Sequence, residues 1–183
     1  MIQDAIRIGK KLAEYRLIDG ASGNLSYRIG WQMVITRSGV VLDELDENSF
    51  VKVAIGEESP HASSDQMVHQ EIYKKGGFNA VLHCHGVFNV VLGLILDEIV
   101  PRDLEGRMFI GSLKVVEGKF GSKELTRKIA DSVAEKGIAM VRGHGIYAAG
   151  KNFDEAFKLA SYLEHSCEVL YRLRVYEKLE RNR

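Results

Sequence analysis

Ala80-Val81-Leu82-His83-Cys84-His85-Gly86 is an apolar run that ends on two histidines and a glycine. Side chains two apart on a strand share a face, so as a strand this stretch turns His83 and His85 one way and Cys84 the other. A second apolar run, Ile138 to Ala149, contains Arg142-Gly143-His144-Gly145 and brings a third imidazole, again beside glycine. One histidine in an apolar run reads first as a packed, hydrogen-bonded core residue. Three of the chain's six histidines in two such runs read instead as a metal site. Three imidazoles with an open fourth position is the arrangement of a catalytic zinc, whereas structural zinc is closed by four protein ligands. The expectation is a metalloenzyme with His83, His85 and His144 as ligands.

Around these runs the pattern alternates between helix and strand. Ile2 to Ile18 carries apolar residues at helical spacing up to Gly20. Asn24 to Arg28, Gln32 to Thr36 and Phe50 to Ile55 alternate like strands of an antiparallel meander, with glycines between them. Ser63 followed by Gln66 has the form of a capping box, which starts a helix at the serines and runs it to Gly76. The strand at 80–85 leads into a helix carrying Val87, Val90, Val91 and Leu94. Strands are expected near Arg107 to Ile110 and Lys114 to Val116, then a helix from Ser122 to Glu135 and strands at Ile138 to Val141 and Ile146 to Ala148. Asn152 and Glu155 cap a long last helix whose buried face carries Phe153, Ala156, Phe157, Ala160, Leu163, Cys167 and Leu170. Helices mixed with mostly hairpin-connected strands predict an α/β fold, a sheet covered on both sides. With no proline-rich linker, residues 1–183 read as one domain.

Composition narrows the function classes. Lys+Arg and Asp+Glu both number 25, so the formal net charge is zero and nothing suggests a nucleic-acid or anionic-membrane partner. The longest apolar stretch, Val87 to Leu96, is too short to span a bilayer, and the first residues lack a signal-peptide core, so a cytoplasmic location is expected. Cys84 and Cys167 form no CxxC pair and read as buried thiols.

Three further segments suit an anion. Gly20-Ala21-Ser22-Gly23-Asn24-Leu25-Ser26 lets backbone approach a ligand closely while Asn24 offers an amide, although such a stretch is by itself also a simple turn. Thr36-Arg37-Ser38-Gly39 adds the Ser38 hydroxyl and the Gly39 amide, and as a bare sequence it is also a plain loop. Ser63 and Ser64 sit at an expected helix start, where free amides and the helix dipole favour a phosphate and where capping alone is an equal explanation.

Taken in order, GASGNLS, ITRSG, ASSD, AVLHCHG and VRGHGIYAAGK followed by a long helix resemble the class II aldolase and adducin-head family, especially its sugar-phosphate aldolases and 4-epimerases. The resemblance covers nearly the whole chain. It implies a three-layer α/β/α domain on a mostly antiparallel sheet and zinc, or another divalent metal, on His83, His85 and His144. It further implies substrate phosphate on Asn24, Ser38, Gly39, Ser63 and Ser64, and a homotetramer with active sites between adjacent subunits. Asp65 falls where the aldolases resembled carry an acid/base glutamate and the 4-epimerases a metal-liganding aspartate, so it enters as both catalytic group and fourth ligand candidate. An aspartate in a first helical turn is also a common favourable charge. His69, one turn on, reads as a hydrogen-bond partner or core histidine.

Departures from the family pattern are local. Ala62 stands where a proline is usual, and the tyrosine expected after Pro101 is missing from Arg102-Asp103-Leu104-Glu105-Gly106-Arg107. Glu105 or Asp103 is its candidate replacement for proton transfer, with a solvated charge cluster as the equal alternative. A second family tyrosine belongs to a C-terminal tail beyond Arg183, and Tyr171 and Tyr176 read as packing residues. The implied activity is zinc-assisted retro-aldol cleavage of a small ketose phosphate to dihydroxyacetone phosphate and an aldehyde through a metal-stabilised enediolate, without a Schiff-base lysine. A ribulose-phosphate 4-epimerase, dehydratase or decarboxylase on the same scaffold, and a non-catalytic adducin-like interaction domain, are the alternatives. The three retained histidines argue against the last.

Overall fold

The structure, a computed structural model, describes residues 1–182; Arg183 lies outside the described residues. In chain order the elements are α1 (Ile2–Glu14), β1 (Asn24–Ile29), β2 (Gln32–Thr36), β3 (Phe50–Ala54), α2 (Gln66–Lys75), β4 (Ala80–Cys84), α3 (Val87–Ile95) and β5 (Glu98–Ile99). Then follow α4 (Leu104–Phe109), β6 (Leu113–Val116), α5 (Lys123–Lys136), β7 (Ile138–Val141), β8 (Gly145–Gly150) and α6 (Phe153–Arg181). The strands form one sheet in the order β3-β2-β1-β4-β8-β7-β6-β5. Every neighbouring pair is antiparallel except β6 and β7, which are joined by the α5 crossover that parallel strands need.

Strand alternation divides two cores between the faces of the sheet. On one face Leu25, Tyr27, Ala80, Leu82, Cys84, Ile146 and Ala148 pack with α1, α3 and α6 residues such as Ile8, Leu92, Phe153 and Leu163. On the other, Val81, Tyr147 and Ala149 pack with Val68, Ile72 and Tyr73 of α2 and Leu125, Ile129 and Val133 of α5. The result is the three-layer α/β/α arrangement expected from the sequence, on a mostly antiparallel sheet. Cys84 and Cys167 are both buried free thiols.

Several expected elements need correction. α1 stops at Glu14, because Arg16 adopts a left-handed φ of 56° and Leu17 turns inward; the apolar spacing had suggested a helix to Ile18. The stretch near Arg107 to Ile110 belongs to helix α4, not to a strand. Asp103 caps it by accepting from the Gly106 amide, and a four-residue stretch with three apolar residues carries no period of its own to tell the two apart. The Ser63/Gln66 capping box does not form: α2 begins at Gln66, whose side chain instead grips Ser59 through its amide and carbonyl. The caps on α5 and α6 do form, from Ser122 and Asn152. Tyr171 packs its ring on Phe88 at 5.6 Å, but Tyr176 is exposed rather than packed.

Candidate metal centre

β1, β4 and β8 lie side by side, and their register sets Asn24 opposite His83 and His83 opposite Tyr147. These three therefore form one row on the α2/α5 face, at the ends of the strands where α2 begins. His85 continues the alternation beyond β4, and its amide donates to the Leu17 carbonyl at 2.7 Å, which pins the chain after the strand. His144 occupies the turn between β7 and β8, closed by its amide on the Val141 carbonyl. Gly145 is needed there: a Cβ would sit 2.3 Å from the Cys84 carbonyl oxygen and 2.7 Å from His85 Cδ2. Gly23 is needed likewise, since with φ of 84° its Cβ would lie 2.7 Å from the His83 carbonyl oxygen.

The three imidazoles meet. One ring nitrogen from each of His83, His85 and His144 lies within 4.8 Å of the others, a group that does not include Asp65. His83 Nδ1 donates to the Ile146 carbonyl at 2.9 Å, so Nε2 keeps its lone pair, and that atom is 2.7 Å from His85 Nε2. Two imidazole nitrogens so close require a proton or a cation between them. Burial pushes the His83 pKa down to about 3, and burial also lowers those of His85 and His144. All three are then neutral, the form that binds a metal. Asp19 places a carboxylate oxygen 3.8 Å from His85 Nδ1, close by but beyond hydrogen-bond distance. The donor set fits a divalent ion that prefers nitrogen, and His83, His85 and His144 are the residues to hold it.

Asp65 stands beside this cluster and is not the helix cap that an aspartate at this position usually is, since its side chain makes no cap hydrogen bond. Its Oδ2 accepts from Asn24 Nδ2 and from the Tyr147 hydroxyl, each at 2.9 Å, and lies 3.8 Å from His83 Nε2. Burial raises the Asp65 pKa, while the hydrogen bonds from Asn24 and Tyr147 lower it, and the net direction is down. Tyr147 is the residue sequence reasoning missed. Its ring stacks on His83 with centroids 4.0 Å apart and planes 12° apart, and its hydroxyl pKa is raised by burial and by Asp65.

Asn24, Ser38, Gly39, Ser63 and Ser64 line one cavity of about 240 Å³ with all three histidines. Arg37 lines it too, a residue whose sequence context assigned it no role. Its Nε donates to the Asn48 carbonyl at 2.9 Å. His69 is a core histidine: Nδ1 meets the Ser26 hydroxyl at 2.7 Å, that hydroxyl also meets Tyr73, and burial lowers the His69 pKa to about 4. The chain does not bring Glu105 to its own histidines. Glu105 is exposed on α4 and lines a separate cavity with Tyr15, Glu164 and His165. Asp103 serves as the α4 cap.

Comparison with known proteins gives this arrangement a context. The sequence profile of the Class II Aldolase and Adducin N-terminal domain matches residues 3–171. The crystal structure of L-fuculose-1-phosphate aldolase from Thermus thermophilus is similar with a TM-score of 0.92 and 29% identity, covering 96% of this chain and 95% of that one. An L-fuculose phosphate aldolase from Methanocaldococcus jannaschii is 25% identical over 168 residues, 90% of this chain and 92% of that protein. A probable bifunctional methylthioribose-1-phosphate isomerase/methylthioribulose-1-phosphate dehydratase from Nocardia farcinica is 28% identical over 182 residues; the match takes in 84% of this chain and 32% of that longer protein.

Proposed function

We propose that this chain, which belongs to the class II aldolase and adducin N-terminal domain family, is a zinc-dependent aldehyde-lyase that cleaves a ketose phosphate into dihydroxyacetone phosphate and an aldehyde. One observation carries the reading: a single cavity holds three neutral imidazoles at one end and uncharged anion donors from Asn24, Ser38, Gly39, Ser63 and Ser64 around them, with a carboxylate alongside. A bound divalent ion supplies Lewis-acid polarisation of the substrate's carbonyl and adjacent hydroxyl oxygens. The chain's own residues do the rest. The serine hydroxyls, the Asn24 amide and the Gly39 backbone fix the phosphate, so binding energy remote from the breaking bond orients it. Asp65 carries the proton that returns to the dihydroxyacetone phosphate carbon when the bond breaks and leaves it in the reverse reaction.

A homotetramer with sites between adjacent subunits suits the exposed apolar side chains Val87, Leu94, Ile95, Leu104, Met108 and Phe109 of α3 and α4. In that assembly Glu105 serves a neighbour's cavity. A second reading, 4-epimerisation of a pentulose phosphate by cleavage and re-closure, is favoured by one observation, that the carboxylate is an aspartate. NMR of zinc-loaded protein with L-fuculose 1-phosphate and, separately, L-ribulose 5-phosphate tests both. The aldolase releases dihydroxyacetone phosphate and lactaldehyde from the first; an epimerase converts the second to xylulose 5-phosphate with little free fragment. Turnover of neither sugar removes both readings.

A further inference from the structure

Asp65 has two roles open to it at this site, as a fourth ligand or as a base, and its hydrogen bonds and its distance from the imidazole cluster bear on which it takes. We infer that Asp65 stands outside the metal's ligand set, and that Tyr147 is the positioning residue that keeps it there. A carboxylate oxygen offers two in-plane lone pairs. On Oδ2, the oxygen nearer His83, both are taken, by the Asn24 amide and the Tyr147 hydroxyl at 2.9 Å each. Ligation through Oδ2 would break one of these bonds inside a buried site, where an unpartnered donor is costly.

Tyr147 cannot easily yield its part. It is 1% exposed, pairs with His83 across β8 and β4, and lies flat on the imidazole with its hydroxyl also 3.5 Å from His144 Nε2. One side chain thus touches two expected ligands and the carboxylate, and fixes their relative placement. Oδ1 accepts no hydrogen bond among the described residues and is left as the reactive oxygen. Asp65, His144 and Tyr147 also line a further cavity of about 70 Å³, so the carboxylate borders open space as well as the imidazoles.

The proton-carrying role rests on the aldolase reading; the ligand set does not, and the test separates the two. Cobalt(II)-loaded wild type, Asp65→Asn, Tyr147→Phe and a His85→Gln control are compared by visible absorption. Zinc affinity is measured by chelator competition, and exchange of the dihydroxyacetone phosphate carbon-bound proton by NMR. Asp65→Asn should leave the cobalt bands where wild type has them, while His85→Gln should shift them. Tyr147→Phe keeps the stacked ring, so it should hold zinc at least as tightly as wild type, yet exchange the proton about tenfold to a hundredfold more slowly, the usual scale for a catalytic group displaced by an ångström. KM should change little, since the phosphate contacts are untouched. A cobalt spectrum altered by Asp65→Asn as it is by His85→Gln would overturn the ligand assignment. Wild-type exchange, or tenfold weaker zinc binding, in Tyr147→Phe would overturn the positioning role. Wild type that turns over no sugar phosphate defeats the aldolase reading and leaves the cobalt comparison to decide the ligand set.

Discussion

Two neighbouring rows cross the same three strands, and they differ in kind. Leu25, Leu82 and Ala148 face α1 and α6 and are wholly buried. One residue along, Asn24, His83 and Tyr147 face the start of α2, and they too are buried, at 5%, 2% and 1% exposure. Burial therefore does not distinguish core from site. What distinguishes them is where the polar atoms go: Asn24 and Tyr147 donate to Asp65, His83 Nδ1 donates to Ile146, and His83 Nε2 is left facing two other imidazoles. A buried polar group is tolerable when it is hydrogen-bonded. The polar row meets that condition at the Asn24 amide nitrogen, the Tyr147 hydroxyl and His83 Nδ1, while Asn24 Oδ1 has no partner among the described residues and His83 Nε2 faces the other imidazoles.

The sharpest way to break the comparison is to empty the polar row. Replacing His83 and His85 together with alanine should abolish tight zinc binding and cut kcat/KM by about 10³ or more, since Lewis-acid stabilisation amounts to several kcal/mol. The protein should keep its circular dichroism spectrum, because these side chains are not what joins the helices to the sheet. Elemental analysis that finds wild-type zinc in the purified double variant would show that the histidines are only well-packed core.

The converse change is Leu82→Ala. Loss of a buried leucine should lower stability by about 2–5 kcal/mol, read from urea unfolding of the metal-free protein. Zinc content and turnover per folded molecule should stay near wild type, because Leu82 points away from the imidazoles on its own strand. If the metal is lost in proportion to stability, the two rows are one cooperative unit and the contrast fails.

Much of this was legible before the structure, for a definite reason. The period-two alternation of β4 is local, so the shared direction of His83 and His85, with Cys84 opposed, follows from the sequence alone. His144 was legible as a histidine among glycines in an apolar run. Tyr147 was not: three residues after His144 in Ile146-Tyr147-Ala148, it has the pattern of an ordinary core aromatic. Its role depends on β8 lying next to β4 in a register that places it opposite His83, which is long-range information. The same holds for the contact of Asn24 with Asp65, which spans 41 residues. Local signals failed where a second partner intervened. Gln66 had the spacing of a capping box and was captured by Ser59, and the short apolar run of α4 was settled by the Asp103 cap. Arg37 was passed over because the hydroxyl and glycine next to it matched the expected phosphate loop.

Arg37 gives the smallest and most discriminating expectation. Beyond the polar row the anion cavity is lined by neutral donors, and Arg37 adds a formal positive charge to them. The residue makes no ion pair among the described residues, and the bond from its Nε to Asn48 anchors the guanidinium while leaving the terminal nitrogens free. A charge-assisted hydrogen bond to phosphate is roughly twice as strong as a neutral one, but an exposed charge is screened, so a contribution of about 1 kcal/mol is reasonable. Arg37→Gln should then raise KM for the sugar phosphate about three- to tenfold at low ionic strength with kcat unchanged, because the group acts on binding and not on the breaking bond. The gap from wild type should close as salt is raised, since screening removes what the charge supplied. Lysine at the same position should recover part of the loss as a point charge without the planar fork. A KM for Arg37→Gln equal to wild type at low salt would mean that the phosphate is held by neutral donors alone; an effect that persists at high salt would mean that Arg37 shapes the loop instead of attracting the anion.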